Sequence, residues 1–272
     1  MEHHRDLVIV LRAVRYQDRN LIVTGLSENK GKISVLAKNA IHSRRFGGGL
    51  DIFAASDWEY VRAADAEMGI LQSLAVRKGF EGFSKDFDRF AAASFLCEVS
   101  ARVALPWEPC EGLFKLLSHA LVTLEHADSL AQMTYLLSLF CGKLLAWLGN
   151  LPRLGECVVC ARRLSEVGPE STLTIQLERA GWLCPSCQEG HARGLEISAR
   201  ALGEFVQGLP RPWKEALETN AYTGSELDAL FTWLTRFLAF HIPGLDAQEL
   251  KSLRFLQAGH KSTALPPAES LR

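Results

Sequence analysis

The sequence contains no long uninterrupted apolar run, no strong net charge and no recognisable catalytic motif. Its longest apolar stretch, 136–148, is interrupted by Lys143 and is shorter than a membrane-spanning helix requires. The first residues are charged where a secretion signal needs an apolar core, so we expect no export signal and no membrane anchor. These absences favour a cytoplasmic protein.

Motifs that would indicate an active site are also missing. The histidines do not cluster with carboxylates, and the HExxH, GxSxG and GxGxxG patterns are absent. Segment 25–32 is similar to a phosphate-binding loop, but Gly25 and Gly31 are one residue too far apart. Ile33 also stands where such a loop needs Ser or Thr to bind magnesium. We therefore expect no enzyme, and only an open coordination position on a metal would favour one.

Charge is unevenly distributed, although 30 basic and 31 acidic residues give a total of −1. Residues 12–50 carry eight Lys and Arg side chains against only Asp18 and Glu28. Such a local excess predicts a surface that binds a polyanion such as nucleic acid. An ordinary solvated surface would have the same composition, so charge alone leaves both interpretations open.

The first 80 residues have the alternation that is typical of β-strands. Strands are predicted around 7–11, 21–24, 32–38, 57–62 and 70–74, which suits a small barrel such as the OB-fold, a platform for single-stranded nucleic acid. Segment 44–49 has two arginines, a phenylalanine and three glycines. We expect it to be a flexible loop that contacts phosphates and stacks a base, or else a plain connection. On strand 32–38, one face is predicted to carry Ile33, Val35 and Ala37 and the other Lys32, Ser34, Leu36 and Lys38.

The apolar period becomes helical from Ser84, which we predict to be a helix N-cap. Further helices are predicted at 91–105, 112–125, 130–147, 225–241 and 245–256, followed by a frayed tail at 259–272. The predicted fold is therefore α+β and multidomain. Three cysteines in the helical part, Cys97, Cys110 and Cys141, are expected to be apolar packing residues.

The remaining four of the seven cysteines form two CxxC pairs. Cys157 and Cys160 are followed, after 23 intervening residues, by Cys184 and Cys187, with a strand predicted between the pairs at 172–177. This spacing is typical of a zinc ribbon that holds one Zn²⁺ with four thiolates. Because no open position would remain, the zinc is expected to be structural. His191 lies outside the pairs and is not expected to bind metal, and four unliganded thiols are the alternative.

The order and spacing of these features resemble the RecO family of bacterial recombination mediators over nearly the whole chain. The segments that carry the resemblance are 9–12, 31–38, 44–48, 157–160, 181–187 and 250–256.

The resemblance implies an N-terminal OB-fold β-barrel and a mainly α-helical C-terminal domain with an inserted four-cysteine zinc ribbon. It also implies binding of single- and double-stranded DNA, annealing of complementary strands, and a role in DNA repair near the nucleoid. The implied partners are RecR, the C-terminal tail of single-strand-binding protein and, indirectly, RecA. The expected boundaries are 1–80 for the barrel, 81–156 and 191–258 for the helical domain, 157–190 for the zinc module and 259–272 for the tail.

Site residues follow from the same resemblance. The residues expected to contact DNA phosphates are Arg12, Lys32, Lys38, Arg44 and Arg45, with Phe46 as a weaker candidate for stacking a base. Lys251, Arg254 and Phe255 are candidates for the tail of single-strand-binding protein, although helix capping and core packing explain them equally well. Asn39 departs from the glycine that the family pattern has after the lysine, which leaves the tightness of that turn open. The competing hypothesis is a zinc-ribbon scaffold that binds proteins and does not anneal DNA.

Overall fold

Five N-terminal strands close into a barrel in the order β1-β2-β3-β5-β4, with β4 paired back onto β1. The computed structural model describes residues 1–41, 44–188, 194–218, 222–242, 245 and 250–262. The α+β fold class is confirmed, and the predicted strands are found at similar positions with longer bounds. They are β1 (Glu2–Tyr16), β2 (Asn20–Ser27), β3 (Gly31–Ala37), β4 (Ala55–Arg62) and β5 (Gly69–Lys78).

The alternation predicted for β3 is present in the barrel. Ile33, Val35 and Ala37 are fully buried in its core, which also contains Val23 and Trp58. The intervening side chains of β3 face outward and are half-buried or, just past its end, exposed. The strand pattern therefore fixes one apolar interior face and one outer face that is available for binding.

Segment 44–50 is not the open loop that its glycines suggest. Arg44–Leu50 forms 3₁₀ turns that break at Gly47, where φ is 50° and ψ is −144°. Phe46 and Leu50 from these turns are buried in the barrel core. Apolar packing at both ends of the segment therefore overrides the flexibility of its glycines.

The helical part begins slightly later than predicted. Ser84 lies in a short 3₁₀ turn, and the N-cap of α1 (Phe87–Val103) is Asp86, whose carboxylate accepts the backbone N–H groups of Asp88 and Arg89. A carboxylate at this position satisfies two free amide groups and interacts favourably with the helix dipole. The remaining helices are α2 (Glu111–Glu125), α3 (Leu130–Trp147), α4 (Ala199–Gly208), α5 (Trp213–Leu217), α6 (Gly224–His241) and α7 (Lys251–Ser262).

The bounds of α7 and the burial of α3 can be compared with the sequence predictions. The helix expected at 245–256 is α7, which extends to Ser262, and residues 263–272 of the expected tail lie outside the described residues. Within the described part of the chain, α3 alone is long and apolar enough to cross a membrane, but two-thirds of it is buried inside the protein. This burial identifies α3 as a central core helix.

A second, four-stranded sheet follows α3 in the order β6-β8-β7-β9. Its strands are β6 (Arg153–Cys157), β7 (Thr172–Gln176), β8 (Gly181–Leu183) and β9 (Leu195–Ser198). The buried faces of β7, β8 and β9 belong to the same apolar core as α1, α3 and α6. The sheet is therefore packed onto the helical domain and is not an isolated appendage.

A strap at 104–109, between α1 and α2, joins the barrel to the helices. The N–H of Lys32 donates to the carbonyl of Leu105, and the N–H of Trp107 donates to the carbonyl of Lys32, both at 3.1 Å. Gly31 has a positive φ of 66°, and a Cβ there would lie 1.9 Å from the carbonyl oxygen of Glu108. Glycine at this position therefore allows the close backbone approach.

Candidate metal centre and nucleic-acid interface

The four paired cysteines come together in the second sheet. The Sγ atoms of Cys157, Cys160, Cys184 and Cys187 all lie within 4.8 Å of one another. Cys157 ends β6, and Cys184 directly follows β8, which pairs with β6 in parallel. Strand pairing thus places the first thiol of each CxxC turn side by side, and each turn carries its second thiol to the same point.

The spacing of the thiols fits a tetrahedral metal ion. The Sγ atoms of Cys160 and Cys184 are 3.7 Å apart. A zinc ion with Zn–S bonds of about 2.3 Å has ligand sulfurs roughly 3.8 Å apart. The four sulfurs could therefore hold one Zn²⁺ with every corner filled, where it would supply a structural cross-link between the two turns. The identity of the metal stays a prediction.

Backbone amides around the cluster favour a thiolate. Burial raises the pKa of the Cys157 thiol, but hydrogen bonds from the backbone N–H groups of Cys160, Cys184 and Val159 outweigh it and lower the pKa to about 7. Hydrogen bonds with the thiols of Cys184 and Cys160 raise the pKa of Cys187 to about 12. In contrast, burial alone raises the pKa of Cys97, which suits the packing role predicted for it. His191 lies outside the described residues.

The outer face of the barrel carries an apolar row across four strands. Val14 of β1 pairs with Ile22 of β2, Ile22 with Leu36 of β3, and Leu36 with Ile70 of β5. Three inter-strand spacings of about 4.8 Å make this row roughly 14 Å long. We call it the aliphatic row. Its outward aliphatic side chains offer a surface against which flat bases can pack.

Cations lie on both sides of the aliphatic row. Arg12 is exposed on β1, opposite Thr24 of β2 in the strand register. The hydroxyl oxygen of Thr24 lies 3.1 Å from that of Ser34 on β3. Lys38 is exposed just beyond the end of β3, on the opposite side of the row. The structure thus places Arg12 and Lys38, two of the predicted DNA contacts, around one open face.

Lys32 has a different environment from the one predicted. It is half-buried, and its Nζ donates to the carbonyl of Ala101 at 2.8 Å, in the last turn of α1. Burial and, secondarily, the charge of Arg102 lower its pKa. Lys32 therefore ties the barrel to a helix C-terminus, where its charge complements the helix dipole, and in this arrangement it is not free to reach a phosphate.

The prediction for Phe46 also needs correction. Its side chain is only 3% exposed and packs inside the barrel, so a base cannot stack on it. The side chains of Arg44 and Arg45 lie outside the described residues. Tyr16, which is 43% exposed at the end of β1, is an aromatic candidate for stacking a base on the open face. Sequence reasoning missed it, although Arg12, Val14 and Tyr16 alternate in the pattern of one strand face.

The turn after β3 stays tight without the family's glycine. Asn39 has a positive φ of 55°, a conformation that asparagine tolerates better than most residues. Its backbone N–H donates to the side-chain oxygen of Asn20 at 2.9 Å. The hydrogen bond to β2 thus holds Asn39 in the conformation that glycine would adopt freely.

The candidate partner residues lie on α7, packed against α1. Lys251 and Arg254 are exposed. Phe255 is half exposed, and its ring packs edge-to-face on that of Phe87 with 6.2 Å between the ring centres. The backbone N–H groups of Lys251 and Ser252 donate to the carboxylate of Glu98. Glu98 thus caps α7 from the neighbouring helix and leaves the lysine and arginine side chains at the surface.

Comparison with known proteins gives consistent matches along the chain. The family model described as "Recombination protein O N terminal" matches residues 1–80, and "Recombination protein O C terminal" matches residues 84–254. A protein named DNA repair protein RecO from Desulfatibacillum aliphaticivorans is 30% identical over 251 residues, which is 92% of this chain and 94% of the relative. One of the same name from Anaeromyxobacter dehalogenans is 31% identical over 253 residues, 91% and 93% of the two chains.

Proposed function

This chain belongs to the RecO family of DNA repair proteins, and from that premise we propose that it is a DNA-binding recombination mediator that anneals complementary single strands. With RecR and single-strand-binding protein, it helps to load RecA. The observation that carries the proposal is the outer barrel face, where Arg12 and Lys38 flank the aliphatic row.

The proposed chemistry is electrostatic and needs no covalent step. Two approaching strands repel each other through their phosphates, and a basic surface offsets that repulsion and releases counterions. The aliphatic row receives unstacked bases while Arg12 and Lys38 contact the phosphates on either side. Base pairing with the second strand then provides the driving force for annealing.

The first experiment is annealing of two labelled complementary oligonucleotides, naked or coated with single-strand-binding protein. We expect the protein to accelerate annealing in both cases. Acceleration on naked strands alone would retain the barrel surface and refute the partner contact. If a folded sample accelerates neither reaction, the proposal fails and a protein-binding scaffold becomes the better hypothesis.

The surface is tested by the salt dependence of single-strand binding. The double variant Arg12→Ala with Lys38→Ala should reduce the slope of log affinity against log salt by about 1.4, roughly 0.7 for each phosphate contact. Arg77→Ala is the matched control, because Arg77 is exposed on the barrel but paired with Asp57. An unchanged slope in the double variant removes this face from the DNA site.

We also propose that α7 contacts the tail of single-strand-binding protein. The half-exposed Phe255–Phe87 pair beside Lys251 and Arg254 combines cations with an apolar surface, which suits an acidic tail with an aromatic end. Phe255→Ala should reduce annealing of coated strands and leave annealing of naked strands unchanged. Equal rates for the variant and the wild type on coated strands would refute this location.

The zinc module is proposed to have a structural role, since its four thiols are all needed to complete the coordination. Atomic emission should find one zinc per chain. A purified, folded chain with no bound metal would refute this part of the proposal.

A further inference from the structure

A pocket with a cavity volume of about 240 Å³ lies where the barrel meets the start of the helical domain, away from the aliphatic row. It is formed by Gly48 and residues 51–54 before β4, by residues 79–84 between β5 and α1, and by Phe90 in the first turn of α1. Its apolar lining includes Ile52, Phe53, Phe80 and Phe90, and its charged lining residues are Asp51 and Glu81.

The aromatic walls form one connected cluster. The ring of Phe53 lies 5.5 Å from that of Phe90 and 5.8 Å from that of Phe83, both edge-to-face. Phe80 stacks on Phe83 at 5.0 Å, and the Nζ of Lys78 already lies 5.4 Å from the centre of the Phe80 ring. Aromatic rings attract cations through their negative faces. Phe53 is 3% and Phe80 8% exposed, so a cation would meet only the parts of these rings and of Phe90 that line the pocket.

Two carboxylates lie at the rim of the pocket. A Cβ placed on Gly79 would be 2.7 Å from Oε1 of Glu81, and one placed on Gly48 would be 3.2 Å from Oδ2 of Asp51. Both glycines line the pocket, so the two carboxylates lie against its lining. Both acidic residues are exposed, and neither has an ion-pair partner among the side chains that the structure describes. Among the described side chains, the rim therefore carries two carboxylates without an ion-pair partner.

The backbone beneath the pocket is strained. Phe53 has a positive φ of 75°, which is unfavourable for a bulky side chain. Two hydrogen bonds of 2.9 Å hold the segment, from the N–H of Phe53 to the carbonyl of Val10 and from the N–H of Val10 to the carbonyl of Ala54. The fold thus maintains Phe53 in the pocket wall at an energetic cost.

We propose that this pocket binds an arginine side chain presented by a partner protein. A guanidinium can stack on aromatic rings and donate forked hydrogen bonds to carboxylates, which matches both the walls and the rim. The two carboxylates repel a nucleic-acid phosphate, and a purely apolar side chain would leave them without a counter-charge. The barrel domain therefore has a cation-binding pocket in addition to its basic outer face.

The test is a titration of the full chain with N-acetyl-arginine amide, followed by NMR of the Ile52 methyl group in the pocket wall. The neutral isostere N-acetyl-citrulline amide is the control ligand. We expect a saturable shift with the arginine compound only. The variant Asp51→Asn with Glu81→Gln should weaken it by about tenfold or more, because two charge-assisted contacts are lost.

A control variant, Glu67→Gln, removes an exposed carboxylate beside Trp107 and should leave the titration unchanged. Equal binding of the citrulline compound overturns the proposal, as does absence of a saturable shift at Ile52. Undiminished binding by the double variant overturns it as well, provided that the thermal melting curve shows the variant to be folded.

Discussion

Replacing Gly31 by alanine should separate the barrel from the strap at 104–109. An added Cβ would lie 1.9 Å from the carbonyl oxygen of Glu108 and 2.9 Å from that of Leu105, and both obstacles are backbone atoms. The strap must therefore move by about 1 Å, because such contacts below 3.0 Å essentially never occur. This shift disturbs the two 3.1 Å hydrogen bonds that join Lys32 to Leu105 and Trp107.

The expected loss of stability is about 3–4 kcal/mol. Holding alanine at the positive φ of 66° costs about 1–2 kcal/mol. Each weakened hydrogen bond adds roughly 1 kcal/mol. The control is Gly149→Ala, because Gly149 also has a positive φ, of 74°, but no atom lies within 4 Å of an added Cβ. The control should lose only about 1–2 kcal/mol.

Urea unfolding of both variants measures the difference directly, with the free energy of unfolding obtained by linear extrapolation. The reasoning is refuted if Gly31→Ala loses no more stability than Gly149→Ala. In that case the strap yields without cost and does not fix the barrel against the helices.

Five further predictions concern single side chains. Tyr16→Ala should weaken single-strand binding by about 1–3 kcal/mol in fluorescence anisotropy, and equal DNA affinity for the variant and the wild type would contradict this prediction. Phe46→Ala should instead lower the free energy of unfolding by about 3–5 kcal/mol, because its ring is in the barrel core. Cys160→Ser should reduce bound zinc below one per chain, and full occupancy in the variant would contradict tetrathiolate coordination. Arg89→Met should cost about 2–4 kcal/mol of stability, since its guanidinium donates to three carbonyls at the end of α2; a loss under 1 kcal/mol in urea unfolding would count against this role. Burial and a hydrogen bond to Asp6 raise the pKa of Tyr60, so the neutral phenol stabilises the fold. This contribution to stability is lost as the pH rises above the ordinary tyrosine pKa of about 10. Tyr60→Phe should therefore lose less stability at alkaline pH in melting curves than the wild type, and an equal loss would exclude Tyr60 as its source.

The barrel and the cysteine cluster were predictable because local patterns determine them. Alternation along 32–38 allows only one arrangement of Ile33, Val35 and Ala37 if the sheet has one buried face. The two CxxC pairs likewise bring four thiols together whenever the strands before them pair. In both cases the decisive contacts lie within one element or between adjacent elements.

Contacts between distant segments account for the positions whose environment differs from the one predicted. Lys32 looked like a free cation because nothing in its neighbourhood along the chain indicates Ala101, 69 residues away. Phe46 lies among glycines and arginines, which suggest an exposed loop, yet its side chain packs in the barrel core together with that of Leu50. Tertiary burial decided both positions, and single-sequence patterns carry little information about it.

If the outer barrel face binds DNA as proposed, the location of Lys32 limits where the strand can lie. The strap and α1 occupy the part of the face around Lys32, so the open part extends from Arg12 across the aliphatic row to Lys38 and Tyr16. Two pleat repeats separate the flanking positions along the strands, about 13 Å in all. When phosphates are bound on both sides of the aliphatic row, the bases between them lie directly over Ile22 and Leu36. Only a single strand can present its bases in this way, because a duplex keeps them stacked and paired. Duplex DNA would therefore bind the same face through its phosphates alone, with weaker affinity at a given salt concentration.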